Sequence, residues 1–266
     1  MRAISSRQNP LVQQFRGTAA GEARGALVLL DGAHLVATAL DAALPIPVAA
    51  ITDSELDDPE FAALAARLEA AGTDLAVVTS NLMAVISPVR SPSGLVALAE
   101  HVTTSPAGVL GTPGALILVA ADVQDPGNLG ALVRSAEAAS ATGVIASGLS
   151  ADPLSWKALR GSMGSALRLP VAIALDTEEL LAAARSAGLQ TVAAVPQGGV
   201  APEALDWRVP TALFMGGEGP GLAHAVIEAS DVRVTVPMAA PVESLNVSIA
   251  GALLLYAARL QRTAPR

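Results

Sequence analysis

An α/β protein built on a parallel sheet is the fold class this sequence predicts, and two observations carry the prediction. Residues 115–266 alternate strand-like and helix-like stretches throughout, the pattern of a parallel sheet covered on both faces. Residues 1–104 repeat the alternation on a smaller scale, as a small α/β domain. Between them, 105–114 carries two prolines and several small residues without periodicity and is read as a linker.

In the first domain Ser5-Ser6-Arg7-Gln8-Asn9-Pro10 is a polar lead-in to a short helix over 11–16. Residues 26–30 have the composition and length of a buried strand, ended by Asp31-Gly32 before a helix over 33–43. A strand at 48–51 precedes an amphipathic helix over 58–71, with Phe61, Leu64, Ala65 and Leu68 on one stripe. Strands at 75–78 and 95–99 complete the unit. In the second domain the strands fall at 115–120, 143–146, 171–175, 190–195, 211–215 and 232–236. The helices between and after them are 128–140, 155–163, 178–187, 222–229 and 248–261.

Composition narrows the chemistry. Hydrophobic residues make up 52% of the chain and aromatics 2%, so packing relies on small aliphatics and base-stacking aromatic platforms are nearly excluded. The absence of cysteine removes disulfides, thiolate metal sites and thiol nucleophiles. His34, His101 and His224 lack ligand-like spacing, so no metal is expected. The N-terminal stretch has no signal-peptide core, and apolar runs fall short of the ~18–20 residues that span a bilayer, which leads us to expect a cytoplasmic protein with no membrane partner. A net charge of −8 argues against non-specific nucleic-acid affinity. Yet every basic residue except Lys157 is Arg, the residue suited to fork-like phosphate contacts, so a local arginine patch leaves RNA open.

Ligands of open α/β sheets sit beyond the carboxyl ends of the strands, and three unusual loops fall there. In DVQDPGNLG (122–130), Pro126-Gly127 marks a turn and Asn128 suits the N-cap of the next helix. Leu129, Leu132, Val133 and Ala136 form that helix's apolar stripe, which at ~100° per residue leaves Arg134 nearly opposite. Arg134 is then either solvated or aimed at an anion or a partner subunit. MGGEGPG (215–221) misses the spacing of a dinucleotide fingerprint. Its dense glycine means either a tight turn or close backbone approach to a ligand, and Glu218 suits an amine or hydroxyl donor better than phosphate. In VPMAAPVESLNVSIAGALLLYAARL (236–260), Ser244 and Asn246 precede a helix that is otherwise apolar. They either cap it or, if buried, require partners, because an unpaired buried polar group costs roughly 1–3 kcal/mol. A fourth stretch, 150–165, holds Lys157 and Arg160 and reads as a solvated face or an RNA-contacting rim.

DPGNLGALVRSAEA, LFMGGEGPGL and VPMAAPVESLNVSIAGALLLYAA resemble, in order, spacing and strand–loop–helix context, the three motifs of the SpoU (TrmH-like) family of SPOUT RNA 2′-O-ribose methyltransferases. ISSRQNPLVQQF and LVLLDGAHLVATAL are similar to the small (L30e-like) substrate-binding domain of many ribosomal-RNA members, with Asp31-Gly32 where Glu-Gly is common. The resemblance implies methyl transfer from S-adenosyl-L-methionine to a ribose 2′-hydroxyl of RNA, ribosomal RNA of the large subunit being favoured over tRNA. It implies a C-terminal SPOUT domain over 115–266 with a deep trefoil knot, an RNA substrate-binding domain over 1–104, and a homodimer with sites at or near the interface. The last helix would thread the knot, apolar because it is buried on several sides.

Carried over to this chain, the family's catalytic Arg falls on Arg134, its first-motif Asn on Asn128, its second-motif Glu on Glu218, and its third-motif Ser and Asn on Ser244 and Asn246. Cofactor contacts fall on Gly216, Val236 and Leu245, with Gly217 and Met238 beside them; the family often carries Asn where Gly217 stands. RNA contact is expected from Arg2, Arg7, Arg16 and Arg24 and from Lys157 and Arg160.

No His or Cys in these loops can deprotonate the hydroxyl, and a guanidinium is effectively always charged. Arg134 is therefore expected to bind the target phosphate and polarise the hydroxyl, the proton passing to a phosphate oxygen or to an Arg of locally lowered pKa. Asn128 would hold Arg134, while Ser244, Asn246 and Glu218 would shape the pocket. The competing classes are a tRNA ribose methyltransferase, a non-catalytic SPOUT-like RNA-binding dimer, and a nicotinamide-dependent oxidoreductase. The five intact motif side chains argue against the second and the glycine spacing against the third.

Overall fold

The computed structural model describes residues 1–22 and 27–264, arranged in two compact units. Met1–Val102 with Leu154–Arg168 form the first, and Thr103–Pro153 with Leu169–Arg266 the second.

The first unit runs β1 (Arg2–Ile4), α1 (Pro10–Ala19), β2 (Leu27–Asp31), α2 (Ala33–Asp41), β3 (Val48–Thr52), α3 (Pro59–Ala70), β4 (Asp74–Val78), α4 (Ser80–Ile86) and β5 (Leu95–Glu100). Its sheet order is β1-β4-β3-β5-β2, with β5 antiparallel to both neighbours and the other pairs parallel. Helices α1, α3 and α4 begin where a polar side chain satisfies a free N–H. Asn9 accepts from Leu11 N (3.0 Å), Asp58 from Glu60 N (2.8 Å) and Thr79 from Leu82 N (3.4 Å). Leu11, Val12 and Phe15 of α1 meet Leu82, Met83 and Ile86 of α4 in the core. Neither β1 nor α4 was expected from periodicity: each is too short to show one.

The second unit runs α5 (Pro106–Leu110), β6 (Leu116–Ala121), α6 (Pro126–Ala138) and β7 (Gly143–Ser147). After α7 (Trp156–Gly161), which lies in the first unit, come β8 (Val171–Ala174), α8 (Thr177–Ser186), β9 (Gln190–Ala194), β10 (Thr211–Gly216), α9 (His224–Ala229), β11 (Val232–Val234) and α10 (Val247–Thr263). All six strands are parallel, in the order β11-β9-β10-β6-β7-β8. Ile117, Val119 and Ala121 of β6 pack with side chains of α5, α8 and α9. The alternate residues Leu116, Leu118 and Ala120 are equally buried and point to the opposite face, the side taken by α6 and α10.

Three features differ from expectation. The stretch 105–114 is not bare linker: Ser105 caps α5 by accepting from Gly108 N (3.1 Å), and Val109 and Leu110 are buried in the second unit's core. One helical turn is too short to leave a periodic trace. Residues 154–168 belong to the first unit, where Trp156 packs on the core and His34 Nε2 and His101 Nε2 lie 3.2 Å from the carbonyls of Met163 and Ala166. Burial holds the pKa of His101 below its ordinary value, the bond to Ala166 acting against it. Burial also raises the pKa of Asp31, against the hydrogen bond from Ser87 Oγ and the nearby charge of Arg160. Finally, α10, expected to be buried on several sides, is buried along one face. Val247, Gly251, Leu254, Leu255 and Ala258 face the core, but Ile249, Leu253, Tyr256 and Leu260 are exposed.

The far end of α10 is fastened by Arg262. Its guanidinium donates to the carbonyls of Trp207 (2.6 Å), Gly114 (2.8 Å), Ala115 (2.9 Å) and Val209 (2.8 Å). Among the described residues no helix is long and apolar enough to cross a membrane, and no group of three His, Cys, Asp or Glu could hold a metal ion.

Candidate active site

The six strands end on the same side because they are parallel, and β6 and β10 are neighbours in register, Gly216 opposite Ala121. The first-motif loop and the glycine loop therefore leave the sheet side by side. Asp125, not Asn128, is the N-cap of α6: its Oδ1 accepts from Asn128 N at 2.7 Å, with Pro126 in the first turn. Asn128, relieved of capping, turns its side chain outward. Its Nδ2 donates to Glu218 Oε1, and its Oδ1 accepts from Asn246 Nδ2 at 3.1 Å. Asn246 is the N-cap of α10, accepting from Ser248 N (2.9 Å), Ile249 N (3.4 Å) and Ser248 Oγ (2.6 Å). One run of hydrogen bonds thus passes from Glu218 through Asn128 and Asn246 into the last helix.

This corrects the expected role of Asn128. Both polar ends of its amide are taken by Glu218 and Asn246, so it does not hold Arg134. Arg134 is exposed on α6, and its guanidinium has no hydrogen-bond or ion-pair partner among the described residues.

Beneath that run lies a cavity of about 420 Å³. Its wall includes Gly216, Gly217 and Glu218 from the glycine loop, Val236 and Met238 after β11, and Ser244, Leu245 and Asn246 before α10. Arg134 is not part of the wall. The glycines are required by space: a Cβ on Gly216 would overlap the backbone at Gly221–Leu222, and one on Gly217 would overlap the Asp122 carbonyl. α10 approaches α6 closely at Gly251, where a Cβ would strike Leu132. Sequence reasoning missed Ala194, Val195 and Pro196, which line the cavity at the carboxyl end of β9; the same strand-end rule that picked the three loops would have found them.

The expected RNA-contacting residues fall in the first unit. Arg7, Arg16, Lys157 and Arg160 are exposed there, Lys157 Nζ lying 5.4 Å from the centre of the Trp156 ring. Arg2 is different: it is engaged twice by Asp74, at 3.1 and 2.7 Å, which takes up its charge. Arg24 lies outside the described residues. Among the described residues no His or Cys lines the cavity, and Glu218 is the one carboxylate in its wall; the side chains and bare peptide groups there can bind and orient a ligand.

The sequence profile of the SpoU rRNA Methylase family matches residues 115–256. The chain is 35% identical over 267 residues to an uncharacterised tRNA/rRNA methyltransferase of Synechocystis sp., covering 98% of this chain and 95% of that protein. It is similar in structure to the AdoMet-bound rRNA methyltransferase of Sinorhizobium meliloti, with a TM-score of 0.86, 29% identity and 99% of both chains covered. An RNA 2′-O ribose methyltransferase gives a TM-score of 0.82 at 31% identity, with 98% of this chain and 100% of that one covered.

Proposed function

We propose that this chain, which belongs to the SpoU rRNA methylase family and is an S-adenosylmethionine-dependent RNA methyltransferase, methylates a ribose 2′-hydroxyl of large-subunit ribosomal RNA. The observation that carries the reading is the run Glu218–Asn128–Asn246, which joins all three motif loops at one cavity. The similar 2′-O ribose and rRNA methyltransferases support the choice of atom and of RNA.

The cavity suits S-adenosylmethionine. About 420 Å³ lies within the ~300–1,000 Å³ usual for small-molecule sites. Gly216 and Gly217 offer bare peptide groups to a polar ligand, while Val236, Met238, Leu245 and Leu254 offer an apolar wall to a flat purine. We assign cofactor contact to Gly216, Gly217, Val236, Met238 and Leu245. The cofactor, when bound, supplies an activated methyl group, so the chain's own tasks are orientation and charge. Asn128 and Asn246 hold the loops together, and Glu218 and Ser244 shape the rim. Arg134, unpaired on the solvent side of α6, grips the target phosphate with its fork of donors and polarises the 2′-hydroxyl, whose proton passes to a phosphate oxygen.

The first unit is the RNA substrate-binding domain, with Arg7, Arg16, Lys157 and Arg160 as its phosphate contacts. The second unit is the methyltransferase domain, its chain end threaded in a deep trefoil knot. Val234 pairs with Ala194 of β9 and also bridges to Val200 in the loop after β9, so β11 runs beside both the strand and its following loop, which supports that path. The enzyme is a homodimer: Ile249, Leu253, Tyr256 and Leu260 recur at helical spacing on the outer face of α10, the seam a second copy would cover.

Incubating the enzyme and S-adenosylmethionine with ribosomal RNA and tRNA, then mapping ribose methylation, tests the reading. A new 2′-O-methyl at one large-subunit nucleotide is expected. Methylation confined to tRNA would transfer the substrate, and base methylation or none would overturn the assignment.

A further inference from the structure

Asp122 stands between the loops of the cavity and has no part in the reading above. It leaves β6 with φ +57°, a left-handed backbone that is uncommon for residues with a Cβ and in which Asp and Asn are favoured. That turn sends its two ends in opposite directions. The carboxylate goes towards the exit of β7, where Oδ1 accepts from Leu149 N at 2.8 Å. Gly148, itself at φ +63°, has no side chain at the point where a Cβ would strike that carboxylate. The carbonyl goes towards the glycine loop, where it fills the space a Cβ on Gly217 would need. Gly217 is not in a left-handed conformation, so the Asp122 carbonyl, rather than backbone torsion, keeps a side chain out.

The next residues extend the anchor. Ser150 Oγ accepts from Val123 N (2.9 Å) and donates to Ala120 O (2.8 Å), and Ala151 N donates to Val123 O (2.9 Å). Because β6 lies between β10 and β7 in the sheet, one residue bears on the loops of both neighbours.

We infer that Asp122 is a positioning residue for the cofactor cavity: its carboxylate fastens the turn to the exit of β7, so that its carbonyl bears on Gly217 and holds the glycine loop where Glu218 meets Asn128. The same contact accounts for glycine at 217, where the related motif often has Asn. The inference rests on the reading of this cavity as the S-adenosylmethionine site.

Calorimetry with S-adenosylmethionine on the full chain, beside thermal melts, separates the two parts of Asp122. Asp122→Gly keeps the torsion and removes the acceptor; it is expected to weaken cofactor binding about tenfold, the effect of losing one hydrogen bond that orders a loop. Asp122→Asn keeps both the acceptor and the tolerance of positive φ, and is expected to restore most of the affinity. Parent-like binding by Asp122→Gly, or equal losses in Asp122→Gly and Asp122→Asn, would overturn the inference. Should Asp122→Gly not fold, Gly217→Ala decides: its Cβ meets the intact Asp122 carbonyl and must weaken binding, so parent-like affinity there overturns it. If the parent itself binds no S-adenosylmethionine, the cofactor reading fails instead.

Discussion

At its N-terminal end α10 is held by side chains that reach other side chains. Asn246 caps the helix and bonds Asn128, which bonds Glu218, and Asn246 and Glu218 are exposed on the rim of the cavity. At its C-terminal end the helix is held by side chains that reach backbone. Arg262 donates to four carbonyls, and Gln261 adds bonds to Leu205 O (2.9 Å) and from Trp207 N (3.2 Å). Burial lowers the pKa of Arg262, a sign of how far its charge is withdrawn from water. A charged donor shared by four carbonyls cannot be replaced without leaving acceptors unpaired, whereas solvated amides can exchange partners with a ligand. One end of the helix is an anchor and the other is adjustable, and the adjustable end faces the cavity.

The contrast can be broken in order of expected effect. Arg134→Ala, which touches neither end, should lower methyl transfer to RNA by at least about 10²-fold, as loss of a transition-state donor does. Its cofactor affinity by calorimetry and its melting temperature should stay at parent values; near-normal methylation would remove Arg134 from the mechanism. Arg262→Met attacks the anchor and should cost about 3 kcal/mol in denaturant unfolding, since several carbonyls lose a charged donor. A loss well below 1 kcal/mol would mean the anchor is not where the geometry puts it. Asn246→Ala attacks the adjustable end and should cost only about 1 kcal/mol for the lost cap, while weakening S-adenosylmethionine binding about tenfold. Equal stability losses at both ends would dissolve the distinction.

The smallest effect is expected from pH. Neither end of α10 carries a histidine, so a stability change near neutrality should come from His101 in the first unit. Its folded pKa is depressed, by burial above all, so the unfolded chain takes up the proton first as pH falls through the ordinary value of 6.5. Its contribution is therefore complete above pH 6.5 and lost as pH falls towards the lowered value. His101→Gln should flatten that part of the melting profile; an unchanged slope would assign the dependence elsewhere.

How much of this could be read from the chain depended on range. The loops at Asn128, Glu218 and Asn246 were legible because each is a local break in a strand–helix alternation, and the structure brings the three together. The partner each side chain takes was not legible. Asn128 looks like an N-cap because it precedes a helix, yet Asp125 three residues earlier captures its N–H and frees its amide for another loop. Arg262 showed no signal, since the carbonyls it binds come from residues 114–115 and 207–209. Residues 154–168 form a short helix in either setting, and only tertiary contacts, those of Trp156, His34 and His101 among them, join the segment to the first unit.

The pairing of β6 with β10 has a consequence for how the enzyme is made. Leu116 pairs with Thr211, so no hairpin can seed the centre of the sheet, and closing so long a loop precedes any gain from the contact. During synthesis β6 leaves the ribosome well before β10 exists. Its six apolar residues, all buried in the finished protein, then present an unpaired edge to every other nascent strand. The cavity cannot exist until the last helix has emerged, because its wall includes residues of α10 itself. A half-made chain is therefore an aggregation hazard with no cofactor to stabilise it, and expression at low temperature or with a holdase chaperone should raise the soluble yield.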